Sequence, residues 1–408
     1  MKASKIGVIA DDFTGACDAA SFLKKAGQKV ALYTKVPRIL NRDADAYVIA
    51  LKTRSISSQE AIEDTLEALS VLKNESIQTV YFKFCSTFDS TPKGNIGPVC
   101  DALMEKMQVP YTILAPSLPI NGRIVQDGLL YVNGVLLHKS PLKDHPLNPM
   151  WSSDIATLMK PQSKYPCHKI TMDSLDDKKL EMWKKESSHF YLIPDYVTDH
   201  DGQKIASYFR GYPLLTGGSG LLEHLPERKE TKTQHQRIQC TKSIILCGSC
   251  SKRSKEQIEC FKKHQGKTIA LSAKHILEKR FELNTIVPVL ERTNQTLLIY
   301  SDAIEKNMSI LRQDTNFYKY AKVMENFMAQ LAKYCVEHHF DRLIIAGGET
   351  SGAVLKELGY SDFVVGSSIA PGVPSLLPKD KKIPVFILKS GNFGQLDFFE
   401  RAIGDVYV

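Results

Sequence analysis

The chain has 408 residues, too many for one ordinary hydrophobic core and about right for two domains. With 43% hydrophobic and 24% charged residues, it excludes long disorder, collagen-like repeats and disulfide miniproteins. The formal charge of +8 sits wholly between Pro226 and His275, where 12 Lys/Arg face 4 Asp/Glu, while the remainder carries 41 of each. A polyanionic partner is one reading of that window, and solvated surface lysines are the other. The N-terminal apolar run Ile6–Ala10 is too short for a secretion signal and leads into Asp11-Asp12. No apolar stretch is long enough to cross a bilayer, so no membrane partner is expected. Nine scattered cysteines without an export signal point to reduced thiols and a cytoplasmic location.

In chain order, β-rich runs are predicted at Ile6–Ala10, Val30–Tyr33, Ala46–Leu51, Thr79–Phe84, Thr112–Ala115, Tyr191–Ile193 and Tyr212–Leu215. Amphipathic stretches such as Ala16–Lys25 and Ser58–Leu72 lie between them, the alternation of a parallel sheet with crossover helices. Glu223–Lys242 is polar and breaks the rhythm. Domains are therefore expected at 1–225 and 243–408, with a linker at 226–242. A second series follows at Ile244–Cys247, Thr268–Leu271, Thr296–Ser301, Leu343–Ala346, Val364–Val365 and Pro384–Lys389. The stripe Phe317, Tyr320, Ala321, Met324, Phe327, Met328, Leu331, Ala332 and Cys335 has the spacing of a buried helix face and carries no ligand role. The fold class is thus α/β, two domains each built on a mainly parallel sheet flanked by helices, with the active site expected in the cleft between them.

Three groups carry chemistry. The first strand ends in Asp11 and Asp12, just where an open α/β sheet binds ligands. Adjacent carboxylates there can accept hydroxyl hydrogens or hold a metal; Asp12 or Thr14 capping the next helix is the plainer reading. The second group, Lys83 to Gly97, packs Ser86, Thr87, Asp89, Ser90 and Thr91 after a strand and ends in glycines opening a helix. Such a loop suits a small polyhydroxy acid, with lysine for the carboxylate and hydroxyls and an acid for its hydroxyls. Arg54, after the third run, offers a fork for a carboxylate or is simply a surface arginine. The third group is a set of glycine loops after strands: Gly248-Ser249-Cys250-Ser251, Gly347-Gly348-Glu349-Thr350-Ser351-Gly352 and Ser390-Gly391-Asn392-Phe393-Gly394. Each alone is a common turn, but three in one domain form a nucleotide cradle, because glycine lets backbone N–H groups approach phosphate.

Other segments imitate sites. Gly266-Lys267-Thr268 resembles the end of a P-loop, but Phe261 replaces its first glycine and the triplet precedes a strand. Gly218-Ser219-Gly220 lacks the third glycine of a dinucleotide fingerprint. Cys247 and Cys250 form a lone CxxC, with no second pair to complete a zinc set, so neither metal nor redox use is expected. His338-His339 ends the long helix, where histidine suits the dipole. Use of the basic window for nucleic acid or regulation is the non-enzymatic alternative, and its single aromatic residue, Phe261, argues against it.

Taken together, ADDFTGACDAA at 10–20, GNIG at 94–97, GGETSGAV at 347–354, APGVP at 370–374 and LKSGNFG at 388–394 resemble the four-carbon acid sugar kinase family. KFCSTFDSTPKGNIGP and the 122–150 region, with GRIVQDGLLYVNGVLL and HPLNPM, resemble its branch acting on 3-oxo-tetronate. A threonate or erythronate 4-kinase is the alternative. The resemblance implies an N-terminal sugar-acid domain, a C-terminal ATP domain and transfer of a phosphoryl group to the terminal hydroxyl of a four-carbon acid. Substrate contacts are then expected at Asp11, Asp12, Arg54, Lys83, Ser86 and Thr87, and ATP contacts at Ser251, Gly347, Gly348, Glu349, Thr350, Gly391 and Asn392. Ser-Thr occurs at both 86–87 and 90–91, so either pair fits the substrate loop. Asp12 is the candidate base that orients or deprotonates the acceptor hydroxyl, with Asp89 as the alternative. ATP is the cosubstrate and Mg²⁺ the expected ion, bridging phosphate oxygens without a dedicated set of protein ligands. The expected partners are a small-molecule sugar acid and ATP, with a homo-oligomer left open.

Overall fold

The computed structural model describes residues 5–75, 77–144, 149–227, 237–264, 266–293, 295–304, 317–380 and 383–407. Much of the 226–242 segment and part of the HPLNPM stretch lie outside the described residues. The chain divides into two compact units, Met1–Thr231 and Lys232–Val408.

The N-terminal unit contains β1 (Lys5–Ala10), β2 (Val30–Tyr33), β3 (Ala46–Ala50), β4 (Ile77–Lys83), β5 (Tyr111–Ala115), β6 (Arg123–Gln126), β7 (Leu129–Val132), β8 (Val135–Leu136), β9 (Cys167–Ile170), β10 (Phe190–Pro194) and β11 (Leu214–Gly217). Its main sheet runs β2-β3-β1-β4-β11-β5-β10-β9, all parallel. β1 to β3 read as near-continuous buried apolar runs because both faces of a parallel sheet are covered. The helices Phe13–Lys25, Ser58–Lys73 and Ile96–Met107 follow β1, β3 and β4. Leu69, Leu72, Val99 and Leu103 from the last two join Ile9, Ile49 and Phe82 of the strands in one core. Going from β3 to β4 the chain crosses over β1, so the sheet's order reverses beside β1.

Three differences from the sequence reading have local causes. The seventh strand is Leu214–Gly217 rather than Tyr212–Leu215. Pro213 has no N–H to pair, and the Tyr212 ring stacks on Tyr111 at 4.7 Å instead. A small antiparallel sheet, β6-β7-β8, was not expected. Its hairpins turn on Asp127-Gly128 and Asn133-Gly134, all four with positive φ, the strongest short hairpin signal a sequence offers. The stretch read as polar linker also begins and ends in structure. Glu223 is buried and paired with Lys25 at 2.8 Å, and Arg237–Ile238 forms a strand.

The C-terminal unit contains β12 (Arg237–Ile238), β13 (Ser243–Cys247), β14 (Lys267–Leu271), β15 (Leu297–Ser301), β16 (Arg342–Ala346), β17 (Asp362–Ala370), β18 (Val373–Pro378), β19 (Val385–Lys389) and β20 (Val406–Tyr407). Its sheet runs β14-β15-β13-β16-β19-β18-β17. The first five are parallel, and β18 pairs antiparallel with both β19 and β17. β17 is much longer than the two residues expected at Val364–Val365. β12 and β20 form a separate antiparallel pair. The long helix Phe317–Glu337 buries Met324, Phe327, Met328, Leu331, Ala332 and Cys335, so the stripe from Met324 to Cys335 is core, while Tyr320 and Ala321 are half-buried. β14 starts at Lys267, which puts Gly266-Lys267-Thr268 before a strand and not after one.

Candidate functional site

In the N-terminal unit the polar residues gather at the carboxyl ends of β3, β1 and β4, three neighbouring strands at the order reversal. Backbone bonds fix these ends together. Asp11 N–H donates to the Lys83 carbonyl (3.0 Å), and the Asp11 carbonyl accepts from Thr53 (3.0 Å) and Arg54 (3.2 Å). Asn95, buried in the GNIG turn, donates to the Thr53 carbonyl (2.7 Å) and the Ile56 carbonyl (2.9 Å), tying the loop after β3 to the helix after β4. That bridging role has no mark in the sequence.

Arg54 does not offer an open fork. Its Nε and Nη2 donate to the two oxygens of Asp11 at 2.9 and 2.8 Å, and Nη2 also donates to Asp12 Oδ1 at 2.7 Å. Its Nη1 lies 3.7 Å from Asp89 Oδ2. One guanidinium thus gathers three carboxylates of this chain, so its fork is already paired. A cavity of about 10 Å³ remains between Asp11, Arg54, Asp89 and Asn95, room for about one water.

Asp12 caps the helix Phe13–Lys25, accepting from Gly15 N–H at 2.9 Å and from the Thr14 hydroxyl at 2.7 Å. The plainer reading of the acid pair is therefore correct, and it leaves room for function. The Asp12 side chain is 26% exposed against 6% for Asp11, so Asp12 is the carboxylate open to a ligand. Burial pushes its pKa up, but Arg54, Lys83, Thr14 and Gly15 together bring it below the usual value. Burial raises Asp11, opposed by the Arg54 fork.

Lys83 is buried at the end of β4 and donates to the Phe84 carbonyl at 2.9 Å. A Cβ on Gly15 would come within 3.1 Å of its ammonium, so glycine there keeps Lys83 beside the helix start. The two Ser-Thr pairs differ in surroundings. Thr87 lies 3.0 Å from the Cys85 thiol and Ser86 is half-buried, whereas Ser90 donates to Gln162 and Thr91 accepts from Lys93 N–H.

In the C-terminal unit, all three glycine loops leave the carboxyl ends of adjacent strands β13, β16 and β19. Gly347 has φ 123°, a conformation side chains rarely adopt, and opens the helix Gly348–Leu358. Ser251 caps the helix Lys252–Lys263, accepting from Ser254 N–H at 3.1 Å and donating to the Gly391 carbonyl at 2.6 Å. Ser254 joins Ser249 at 3.0 Å and the same Gly391 carbonyl at 3.1 Å. Two helix N-termini and their free N–H groups therefore face one strand-end region, the arrangement that holds phosphate. Gly347 and Thr350 are buried; Gly348, Glu349 and Asn392 are exposed at its rim.

Lys389, predicted only as the last residue of a strand, lies among these loops. It is fully buried, and its ammonium donates to Gly391 (2.9 Å) and Ser390 (3.0 Å) carbonyls and to the Ser254 hydroxyl (3.2 Å). Burial brings its pKa down to about 8, helped by the charge of Arg253 and opposed by Cys247. The signal was its position just before a glycine loop.

Burial pushes the Cys247 and Cys250 thiols up to about 11, and Cys247 lies inside β13. Lys252, Arg253 and Lys255 occupy the first turn of a helix that has no acid there, the wrong end of the dipole for cations unless an anion is held nearby.

The packing of the loops gives a direct test. A Cβ on Gly391 would lie 2.5 Å from Ser249 Oγ and 3.0 Å from Ser251 Oγ, so Gly391→Ala must displace both hydroxyls. Overpacking on that scale costs about 1–3 kcal/mol, so titration calorimetry should show roughly tenfold weaker ATP binding. Unchanged affinity would detach this loop from the nucleotide.

Residues 6–225 match the family described as the sugar-binding N-terminal domain, and residues 244–399 the nucleotide-binding C-terminal domain. The chain is similar to proteins named 3-oxo-tetronate kinase from Brucella melitensis (36% identity, 98% of this chain and 95% of that one) and Escherichia coli (35%, 90% and 98%). Among solved structures it resembles one from Salmonella typhimurium LT2 (TM-score 0.86) and one from Haemophilus influenzae (TM-score 0.76). Both are 36% identical, cover 98% and 97% of this chain, and are themselves 98% covered.

Proposed function

The chain belongs to the four-carbon acid sugar kinase family, and on that premise we propose that it is an ATP-dependent kinase that phosphorylates the C4 hydroxyl of 3-oxo-tetronate. The observation that carries this reading is the paired arrangement of strand-end sites. One unit gathers carboxylates, a lysine and hydroxyls at β3, β1 and β4, suited to a polyhydroxy acceptor. The other gathers glycine turns and two helix N-termini at β13, β16 and β19, suited to a triphosphate.

Phosphoryl transfer needs positioning and charge stabilisation more than covalent chemistry. Asp12, ionised and partly open, accepts a hydrogen bond from the acceptor hydroxyl and aims its oxygen. Asp89 is the alternative in that role. A carboxylate held at low pKa is a weak base, and a loose transition state asks little of it before the bond to phosphorus forms. Arg54 acts through the carboxylates it clamps. Lys83, Ser86 and Thr87 contact the acid. Ser251, Gly347, Gly348, Thr350, Gly391 and Asn392 hold the nucleotide, largely through backbone N–H groups. The C-terminal loops offer hydroxyls and one carboxylate, Glu349, a donor set that fits Mg²⁺ already dressed by phosphate and water. When bound, that ion neutralises phosphate charge. Nine free thiols fit a reducing compartment such as the cytoplasm.

A coupled assay with ATP, Mg²⁺ and a panel of tetronates tests the proposal. The expected result is a higher kcat/KM for 3-oxo-tetronate than for threonate or erythronate. Turnover of the latter two alone would move the chain to another branch, and no turnover of any would overturn the kinase assignment.

A further inference from the structure

With the Arg54 fork spent on Asp11 and Asp12, the carboxylate of a sugar acid needs another cation in the N-terminal unit. The neighbouring strand ends, β1, β4, β11 and β5, supply one. Arg123 follows the turn after β5, where Gly122 takes φ 72° and Arg123 pairs with Leu118 through two backbone bonds. Its Nη1 donates to the Asn121 carbonyl, while its Nε is buried with no partner among the described residues. Two more buried polar atoms nearby are in the same condition. Asp18 Oδ1 has no partner, although its other oxygen accepts from Ser219, and the hydroxyl of fully buried Ser117 has none.

These groups belong together. Asp18 feels the charges of Lys83, Asp12 and Arg123, and Arg123 also feels Cys85 at the start of the hydroxyl-rich loop. A buried guanidinium nitrogen, a carboxylate oxygen and a hydroxyl are each left without a partner among the described residues, a desolvation cost that a hydrogen-bonding ligand would relieve. They match a four-carbon oxo acid: a guanidinium for its carboxylate, an acceptor for its C2 alcohol and a hydroxyl donor for its C3 carbonyl. Burial holds the Arg123 pKa below its usual value, as expected for a cation lacking a close counter-charge.

We propose that Arg123, assisted by Lys83, binds the carboxylate of the sugar acid, with Asp18 accepting from its C2 hydroxyl, Ser117 donating to its C3 oxygen and Asp12 left for the reacting C4 hydroxyl. The assignment rests on the kinase reading above. It makes Arg123 the residue that selects acids over their uncharged analogues.

The test is steady-state kinetics of the full-length chain, wild type, Arg123→Gln and Arg123→Lys, with the best tetronate of the panel, its primary amide, and ATP. Removing one partner of a buried charge pair is expected to raise KM for the acid about 100-fold in Arg123→Gln. KM for ATP should stay within about twofold, since the nucleotide loops belong to the other unit. The preference for acid over amide should disappear in Arg123→Gln. Arg123→Lys, which keeps the charge and loses the fork, should lose about tenfold and keep part of the preference. If Arg123→Gln does not fold by thermal unfolding, Arg123→Lys decides on the same readouts. Wild-type KM and acid preference in the variants would overturn the assignment and leave the kinase reading standing. A wild-type chain inactive on every tetronate would overturn both.

Discussion

Asp12→Asn should lower kcat by about 10²- to 10⁴-fold while changing KM for the sugar acid far less. The substitution separates chemistry from folding unusually well. Asparagine caps a helix as effectively as aspartate, so the bond from Gly15 N–H survives and the helix Phe13–Lys25 should keep its start. What is lost is the negative charge beside the acceptor hydroxyl and the ion pair with Arg54 at 2.7 Å. The pH profile adds a second check. Because Asp12 titrates below the usual aspartate range, wild-type activity should not lose Asp12's contribution until the pH falls through that depressed value. The stability from its pairing, present above the ordinary aspartate pKa, should fade over the same acidic interval. Steady-state kinetics with urea unfolding at matched pH would show both. An unchanged kcat would remove Asp12 from the mechanism and turn attention to Asp89, whose Asn variant should then show the loss.

Lys389→Met should weaken ATP binding by roughly 10- to 100-fold, the scale of losing hydrogen bonds from a buried charged donor. In the proposed nucleotide site Lys389 acts as a positioning residue. Its ammonium holds the Ser390 and Gly391 carbonyls and the Ser254 hydroxyl, and those groups fix the capping Ser251. A merely structural lysine would not give the expected pH signature. With a pKa of about 8, the wild-type amine sheds its charge as pH rises past that value, so ATP affinity should decline there. The Met variant should bind weakly and without that step. Stability should move the other way. Lysine's ordinary pKa is 10.5, so the unfolded chain binds this proton more tightly than the folded one. Below about pH 8 the charged, buried amine costs stability, and that cost is relieved between about 8 and 10.5. The wild type should therefore gain on the Met variant in urea unfolding as pH goes from 7 to 10. Equal ATP affinity in the two proteins at pH 7 would remove Lys389 from the nucleotide site.

Part of the basic 226–275 window has a place in the fold. Lys252, Arg253 and Lys255 stand on the first turn of a helix whose N-terminus faces the glycine loops. Arg253 is partly answered by Glu256 at 3.1 Å, and the remaining excess of cations there suits a bound polyphosphate.

The amino-acid sequence determined that the candidate loops would follow strands. Apolar runs set the strands to within a residue or two in most cases, and Asp11-Asp12, the Lys83–Gly97 loop and the three glycine loops each follow one of them. A parallel sheet puts every such loop at the same edge, so position after a strand was enough. The Asp-Gly and Asn-Gly hairpins of β6 to β8 lie outside the predicted strands, although their dipeptides favour positive φ. Partnership was not legible. That Arg54 spends its fork on Asp11 and Asp12, that Asn95 bridges two loops, and that Lys389, Ser254 and Gly391 form one cluster all depend on strand order. β3 and β4 flank β1, and β16 lies between β13 and β19, although long stretches of chain separate them. Residue type and spacing state what a side chain can donate or accept; only the packed sheet decides which groups are already paired and which, like Arg123 Nε, have no partner among the described residues.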